Sequence, residues 1–186
     1  MGIDLPLGAE LAYSGFWTQA LQHQTIFREL ALTRVTDETL RQVGEMPWLR
    51  VLHLAGDFTD TAPLRGLTGL ATLGVDSSRL ESLVLPDAPL TVLSLTADRL
   101  PDSALTGLPG TVRLLFLRLP RLDPAFLATL TQVETIIFAG TPPEESLARL
   151  LAALAPTLTR VEFLGVGALD PRSLSILDAA AIKVGR

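Results

Sequence analysis

The 186-residue chain has no cysteine, one lysine against 14 arginines, and two histidines, His23 and His53. Without cysteine there is no thiol nucleophile, no disulfide framework and no thiolate ligand, and two isolated histidines do not suggest a transition-metal site. No stretch approaches 18 consecutive apolar residues, so a membrane span is not expected. The opening MGIDLPLGAE lacks a positively charged region and a signal-like apolar run, and Pro6 stands where a myristoylation signal needs Ser or Thr. A cytoplasmic protein is the expectation. The net charge is −5, the isoelectric point is near 5.0 and basic residues do not cluster, which argues against nucleic acid. Phosphate-binding and calcium-loop spacings are missing too, and GVGALD (165–170) lacks the third glycine of a dinucleotide fingerprint. No cofactor and no metal are expected.

What the chain does have is leucine in a rhythm. Apolar residues make up 48% of it, and mean hydropathy is +0.39. The pattern apolar-x-x-apolar-x-apolar, clearest in LRVLHL, LATLGV and LTVLSL, starts at Phe27, Leu49, Leu70, Leu90, Val112, Val133 and Leu158, at intervals of 20 to 25 residues. Such a period marks a stacked repeat architecture in which each unit adds to one continuous core. Alternation along a strand sends the first, fourth and sixth residues inward and the fifth outward. Seven short parallel strands are therefore expected over residues 27–186, each followed by a return segment.

The returns differ in composition. TDETLRQVGEMP (36–47) reads as a short helix capped by Thr36 or Asp37 and stopped by Gly44, and TPPEESLARLLAALAP (141–156) reads as the strongest helix, with Leu147, Leu150, Leu151 and Leu154 on one face. A further helix opens at Asp170-Pro171. FTDTAPLRGLTG and PDSALTGLPG hold too much Gly and Pro for more than a turn of helix, and LESLVLPDAP reads as extended. Ahead of the repeats, Tyr13, Phe16, Trp17, Ala20 and Leu21 have helical spacing and predict an N-terminal cap helix within residues 1–26.

On these hexapeptides, and on FTDTAPLRGLTGLATLGV with its Pro-Leu-x-x-Leu-x-x-Leu return, the chain resembles leucine-rich repeat proteins of the short, irregular bacterial kind, one stretch being similar to the internalin-like subclass. The resemblance implies an α/β solenoid of about seven repeats with a parallel concave sheet, a mixed convex side of helices and turns, and a generic role in protein recognition. It also implies Asn at the ninth position of each repeat; here that place holds Val35, Asp57, Ser78, Asp98, Pro120, Thr141 and Val166. The four short polar residues among them, Asp57, Ser78, Asp98 and Thr141, are able to replace it in part by bonding local backbone.

A catalytic reading finds little support. His53 stands at an outward fifth position with Ser94 two strands away, about 10 Å between backbones, too far for a nucleophile and its base. The outward positions suggest a surface instead. With the second, third, fifth, seventh and eighth positions assigned to the concave face, its early part is polar or small (Arg28, Glu29, Arg34, Arg50, His53, Gly74, Asp76, Ser94). Its later part carries Leu114, Phe116, Leu119, Ile137 and Leu164, ringed by Arg113, Arg118, Glu134, Arg160 and Glu162. An apolar patch rimmed by charge is a candidate protein interface, unless a neighbouring loop or a register slip buries it. Phe116 is the expected anchor, with Arg113, Arg118 and Arg160 orienting the partner's rim. Two functions follow: a protein-binding adaptor, inhibitor or immunity-type module, or a structural protein forming a homo-oligomer through the same patch or a terminal strand edge. No enzyme is expected.

Overall fold

The computed structural model describes residues 10–18, 25–98, 108–119, 130, 132–140, 145–154, 156–166 and 170–185. Among the described residues the chain forms an α/β fold built on one sheet whose nine strands lie in sequence order. They are β1 (Glu10–Thr18), β2 (Thr25–Val35), β3 (Val51–Gly56), β4 (Thr72–Asp76), β5 (Val92–Thr96), β6 (Leu114–Arg118), β7 (Thr135–Ala139), β8 (Arg160–Leu164) and β9 (Lys183–Gly185). β2 to β9 are all parallel, whereas β1 pairs antiparallel with β2.

The hexapeptide rhythm maps directly onto this sheet. The register sets Leu52, Leu73, Leu93, Leu115, Ile136 and Val161 in one row and Leu54, Val75, Leu95, Leu117, Phe138 and Phe163 in the next. From Leu30 onward every first, fourth and sixth residue of the seven units is buried. Two large rings end the second row, Phe138 and Phe163 stacking with centroids 5.5 Å apart. Each fully buried Leu is worth about 1.5–3 kcal/mol of transfer free energy, so the rows carry much of the stability of the stack.

Side chains from the helices enter the same core: Leu40 and Val43 from α1 (Asp37–Gly44), Ala148 and Leu151 from α2 (Glu145–Ala153), and Leu177 from α3 (Pro171–Ala179). Thr36 caps α1 by accepting from the Thr39 N–H at 3.3 Å, and Asp170 caps α3 by accepting from the Ser173 N–H at 3.1 Å. Between β3 and β4 the Pro-rich return makes one 3-10 turn, Ala62–Gly66. The segment after β4 contains neither helix nor strand, and Ser82 makes an isolated parallel bridge to Asp60.

Three expectations require correction. Residues 10–18 form a strand where a cap helix was expected, and they close the sheet as an antiparallel edge; Ala20, Leu21 and His23 lie outside the described residues. The i, i+3, i+4 spacing of Tyr13, Phe16 and Trp17 is outweighed by their β propensity, by Gly15 in the middle of the segment, and by the unpaired edge of β2. Next, the parallel sheet has eight strands and not seven, because β9 adds to β8 after Leu158. Finally, the eighth position faces the core in the third, fourth and fifth units, whereas Arg34, Gly140 and Gly165 hold it exposed. Ser77, Ala97 and Leu119 are buried there, since a period of two carries the outward seventh position to an inward eighth.

The turns after the strands follow from that eighth position. In the first unit an extra residue is accommodated at Arg34, with φ of 55°, so that Val35 pairs with Gly56 and fills the inward place. In the last two units Gly140 and Gly165 turn the chain with φ of 77° and 68°, a region that glycine enters without steric cost. Ser77, and not the neighbouring Ser78, supplies the buried polar contact: its hydroxyl donates to the Phe58 carbonyl at 2.7 Å. Ser78 is exposed and reaches only the Asp57 carboxylate, at 3.5 Å. Asp98 is exposed, and Pro120 and Thr141 lie outside the described residues.

Candidate functional site

The described helices all send their buried residues to one side of the sheet, and the third, fifth and seventh positions form the other side. Parallel pairing without slippage from β3 to β9 turns these positions into columns. The fifth-position column runs Ala31, His53, Gly74, Ser94, Phe116, Ile137, Glu162, Gly185. It begins small and polar, becomes apolar at β6 and β7, and passes through the acid Glu162 to Gly185.

Of the patch expected from the sequence, Leu114, Phe116 and Ile137 do come together. Phe116 pairs with Ile137, Leu114 stands one outward step from Phe116 on the same strand, and all three are half-buried. Leu164 stands on β8 beside Ala139, diagonal to Ile137, and is 38% exposed, which makes it the easiest large apolar side chain of this face for a partner to reach. Leu119 does not belong to the patch. It is 5% exposed and part of the core, because it occupies the inward eighth position.

The charged rim also sorts itself. Arg113 is engaged within the fold: its guanidinium donates to the Gly110 carbonyl at 3.1 Å and the Gln132 carbonyl at 3.0 Å, and it lies 3.5 Å from the Glu134 carboxylate. Arg50 makes the equivalent contact in an earlier unit, donating to the Gly69 carbonyl at 2.7 Å. A second-position arginine thus ties one repeat to the start of the next. Arg160 pairs with Glu162 at 2.5 Å. Arg118 is exposed and makes no ion pair with a described residue.

Val92 and Lys183 are among the members of the face that the sequence reading did not name. Val92 stands beside Leu114 in the third-position column and is half-buried. Lys183, the single lysine, ends that column beyond Arg160. The signal for Lys183 was available, since Ala181 falls 23 residues after Leu158 and Val184 follows at the fourth place. The sixth place holds Arg186 and not an apolar residue, so the pattern is incomplete.

On the early half, a shallow hollow of about 310 Å³ is lined by Ala31, His53, Gly74, Asp76, Ser94 and Thr96, among others. It exists because Ala31, Gly74 and Ser94 leave the fifth-position column low. His53 and Ser94 are held two strands apart with Gly74 between them.

Among the described residues no group of three or more His, Cys, Asp or Glu is placed to hold a metal ion, and no helix is long and apolar enough to cross a membrane. No protein-family model, no curated protein and no solved structure matches this chain.

Proposed function

We propose that the chain is a leucine-rich repeat module of the short, irregular kind that binds another protein through the outer face of its sheet, acting by surface recognition and not by catalysis. The repeat reading is supported by one strand per unit of 20 to 25 residues and by leucine at the inward positions. The sequence contains no asparagine, so the turn contact usual in that family has to come from other groups, as Ser77 illustrates.

The observation that carries the binding reading is the meeting of Leu114, Phe116 and Ile137 on adjacent strands, on the side of the sheet away from the described helices. A contiguous apolar patch loses its contact with water when a partner covers it, and a central aromatic within it carries a disproportionate share of the binding energy.

The test is affinity capture from the source cell with wild type, Phe116→Asp and Leu164→Asp, each checked by thermal melting. Loss of a specifically captured protein by both variants, with melts near wild type, is the expected result. Unchanged capture by folded variants would move the interface elsewhere. A concentration-dependent dimer in light scattering, abolished by Phe116→Asp, would reassign the face to self-association.

A further inference from the structure

Charged residues at the third, fifth and seventh positions of β2 to β9 are sorted by sign. The early strands hold Glu29 and Asp76, and the late strands hold Arg118, Arg160 and Lys183 against Glu162 alone. The face is therefore neutral as a whole but polarised along its length, in a chain whose net charge is −5. Its relief is polarised the same way, with the hollow at Gly74 on the early side and Leu114, Phe116 and Ile137 on the late side. Asp76 and Arg118 are exposed and make no ion pair with a described residue. They share the seventh-position row with only Thr96 between them.

Opposites placed on either side of a centre line are what a surface needs to recognise itself about a two-fold axis. Resting on the reading that this face binds protein, we infer that the protein it fits is a second copy of this chain, related by a two-fold axis running along β5. Such an axis keeps the position along the strand and reverses the strand order, so β4 lies over β6 of the second copy and β2 over β8. Asp76 then meets Arg118 twice, once on each side of the axis. Phe116 falls opposite Gly74, where the exposed imidazole of His53 lies across the glycine backbone and receives the ring. Val92, Ser94 and Thr96 meet their own counterparts on the axis and bring no charge there. Farther out, Glu29 comes opposite Arg160 and supplies a second acid to the adjacent cations Arg160 and Lys183, which have Glu162 as the first. At the second position Arg50 falls opposite Glu134, and no like charges oppose one another among the described residues.

The position of the axis is specific. Half a strand interval away, between β5 and β6, it would set Arg118 over Thr96 and Asp76 over Ala139 and lose both central pairs. Packed sheets lie about 10 Å apart and are rotated by about 30°, which displaces strands one interval from the axis by about 2–3 Å, within the reach of an arginine side chain. From β2 to β8 the face measures about 34 by 17 Å, or roughly 600 Å² per copy, at the low end for a specific interface. A weak dimer follows, its centre held by Phe116 and its register fixed by the charge pairs.

Sedimentation velocity over a concentration series tests this with the full chain. Wild type should dimerise reversibly, and Phe116→Asp should be monomeric. Asp76→Arg and Arg118→Asp should each weaken the dimer at least about tenfold, because each sets like charges together at both copies of the contact. Asp98→Arg, an equal charge change at an exposed residue outside the face, should not. An equimolar mixture of Asp76→Arg and Arg118→Asp should dimerise again with nearly wild-type affinity, since residue 76 of each then meets an opposite charge. Thermal melts near wild type confirm that every variant is folded.

A monomeric wild type, a dimer unaffected by Asp76→Arg and Arg118→Asp, or a mixture no better associated than its components would overturn the inference. The underlying reading is judged separately by capture. If wild type is monomeric and Phe116→Asp abolishes capture of a different protein, the face is a binding surface and only the choice of partner fails. If a dimer persists in Phe116→Asp, the copies meet elsewhere and the inference fails, while capture still decides the face.

Discussion

The imidazole of His53 lies across the backbone of Gly74, its neighbour in the fifth-position column, in the space that a Cβ at residue 74 would fill. The obstacle is the end of an exposed side chain, which is able to swing away. Gly74→Ala should therefore leave stability within about 0.5 kcal/mol of wild type, and in a His53→Ala background the alanine should stabilise by about 0.5 kcal/mol through lower chain entropy. At Gly56 the same added atom meets the backbone N and O of Val35, which have nowhere to go. Gly56→Ala should cost at least about 2 kcal/mol in urea melts. Similar losses at the two glycines would contradict this packing.

Ser77 and Ser78 provide a second contrast between neighbours. Removing the Ser77 hydroxyl leaves the Phe58 carbonyl without its donor in a buried turn, at a cost of about 1–3 kcal/mol, whereas Ser78→Ala should cost under about 0.5 kcal/mol. Parallel chemical denaturation of the two variants decides it. A larger loss at Ser78 would restore the ninth position as the structural one.

Leu119 and Leu164 both read as surface leucines in the sequence, and an added charge separates them. Leu119→Asp places a carboxylate in the core and should cost more than about 3 kcal/mol, seen as a large fall in melting temperature. Leu164→Asp should stay within about 0.5 kcal/mol of wild type, which is what qualifies it as a probe of binding.

Arg113 and Arg118 should part in the same way. Arg113→Ala removes hydrogen bonds that join consecutive repeats and should destabilise by about 0.5–1.5 kcal/mol. Arg118→Ala should leave the denaturation midpoint nearly unchanged. Equal midpoints for the two variants would mean that the Arg113 contacts add nothing to the fold.

The repeated strands were legible because their information is redundant: the same three inward positions recur seven times, and a shift by one residue would expose all of them. Legibility fails where the redundancy does. β1 occurs once, runs against the others and has two register irregularities, so its aromatic spacing fits a helix as readily as a strand. β9 is three residues long and ends before its pattern completes. The outward face was readable at Phe116 and Ile137, which the strand pattern fixes. It was misread at Leu119, one residue past the end of β6, where alternation has to be carried one residue further. Whether an arginine is free or engaged cannot be seen from spacing at all: Arg113 is tied to carbonyls 3 and 19 residues away, and the second exists only once the next repeat has stacked.

The carbonyls at the second position of each unit form a seam. Those of Arg50, Ala71, Thr91, Arg113 and Glu134 each accept two N–H groups, from the second and third residues of the following unit. Amide hydrogen exchange should therefore run opposite to solvent exposure along this line. Thr91 and Arg160 have exposed side chains, yet their backbone hydrogens are shared with the preceding unit and are released only when two repeats separate. Slow exchange along the seam, quickening toward the short β9, would report the cohesion between neighbouring units one junction at a time.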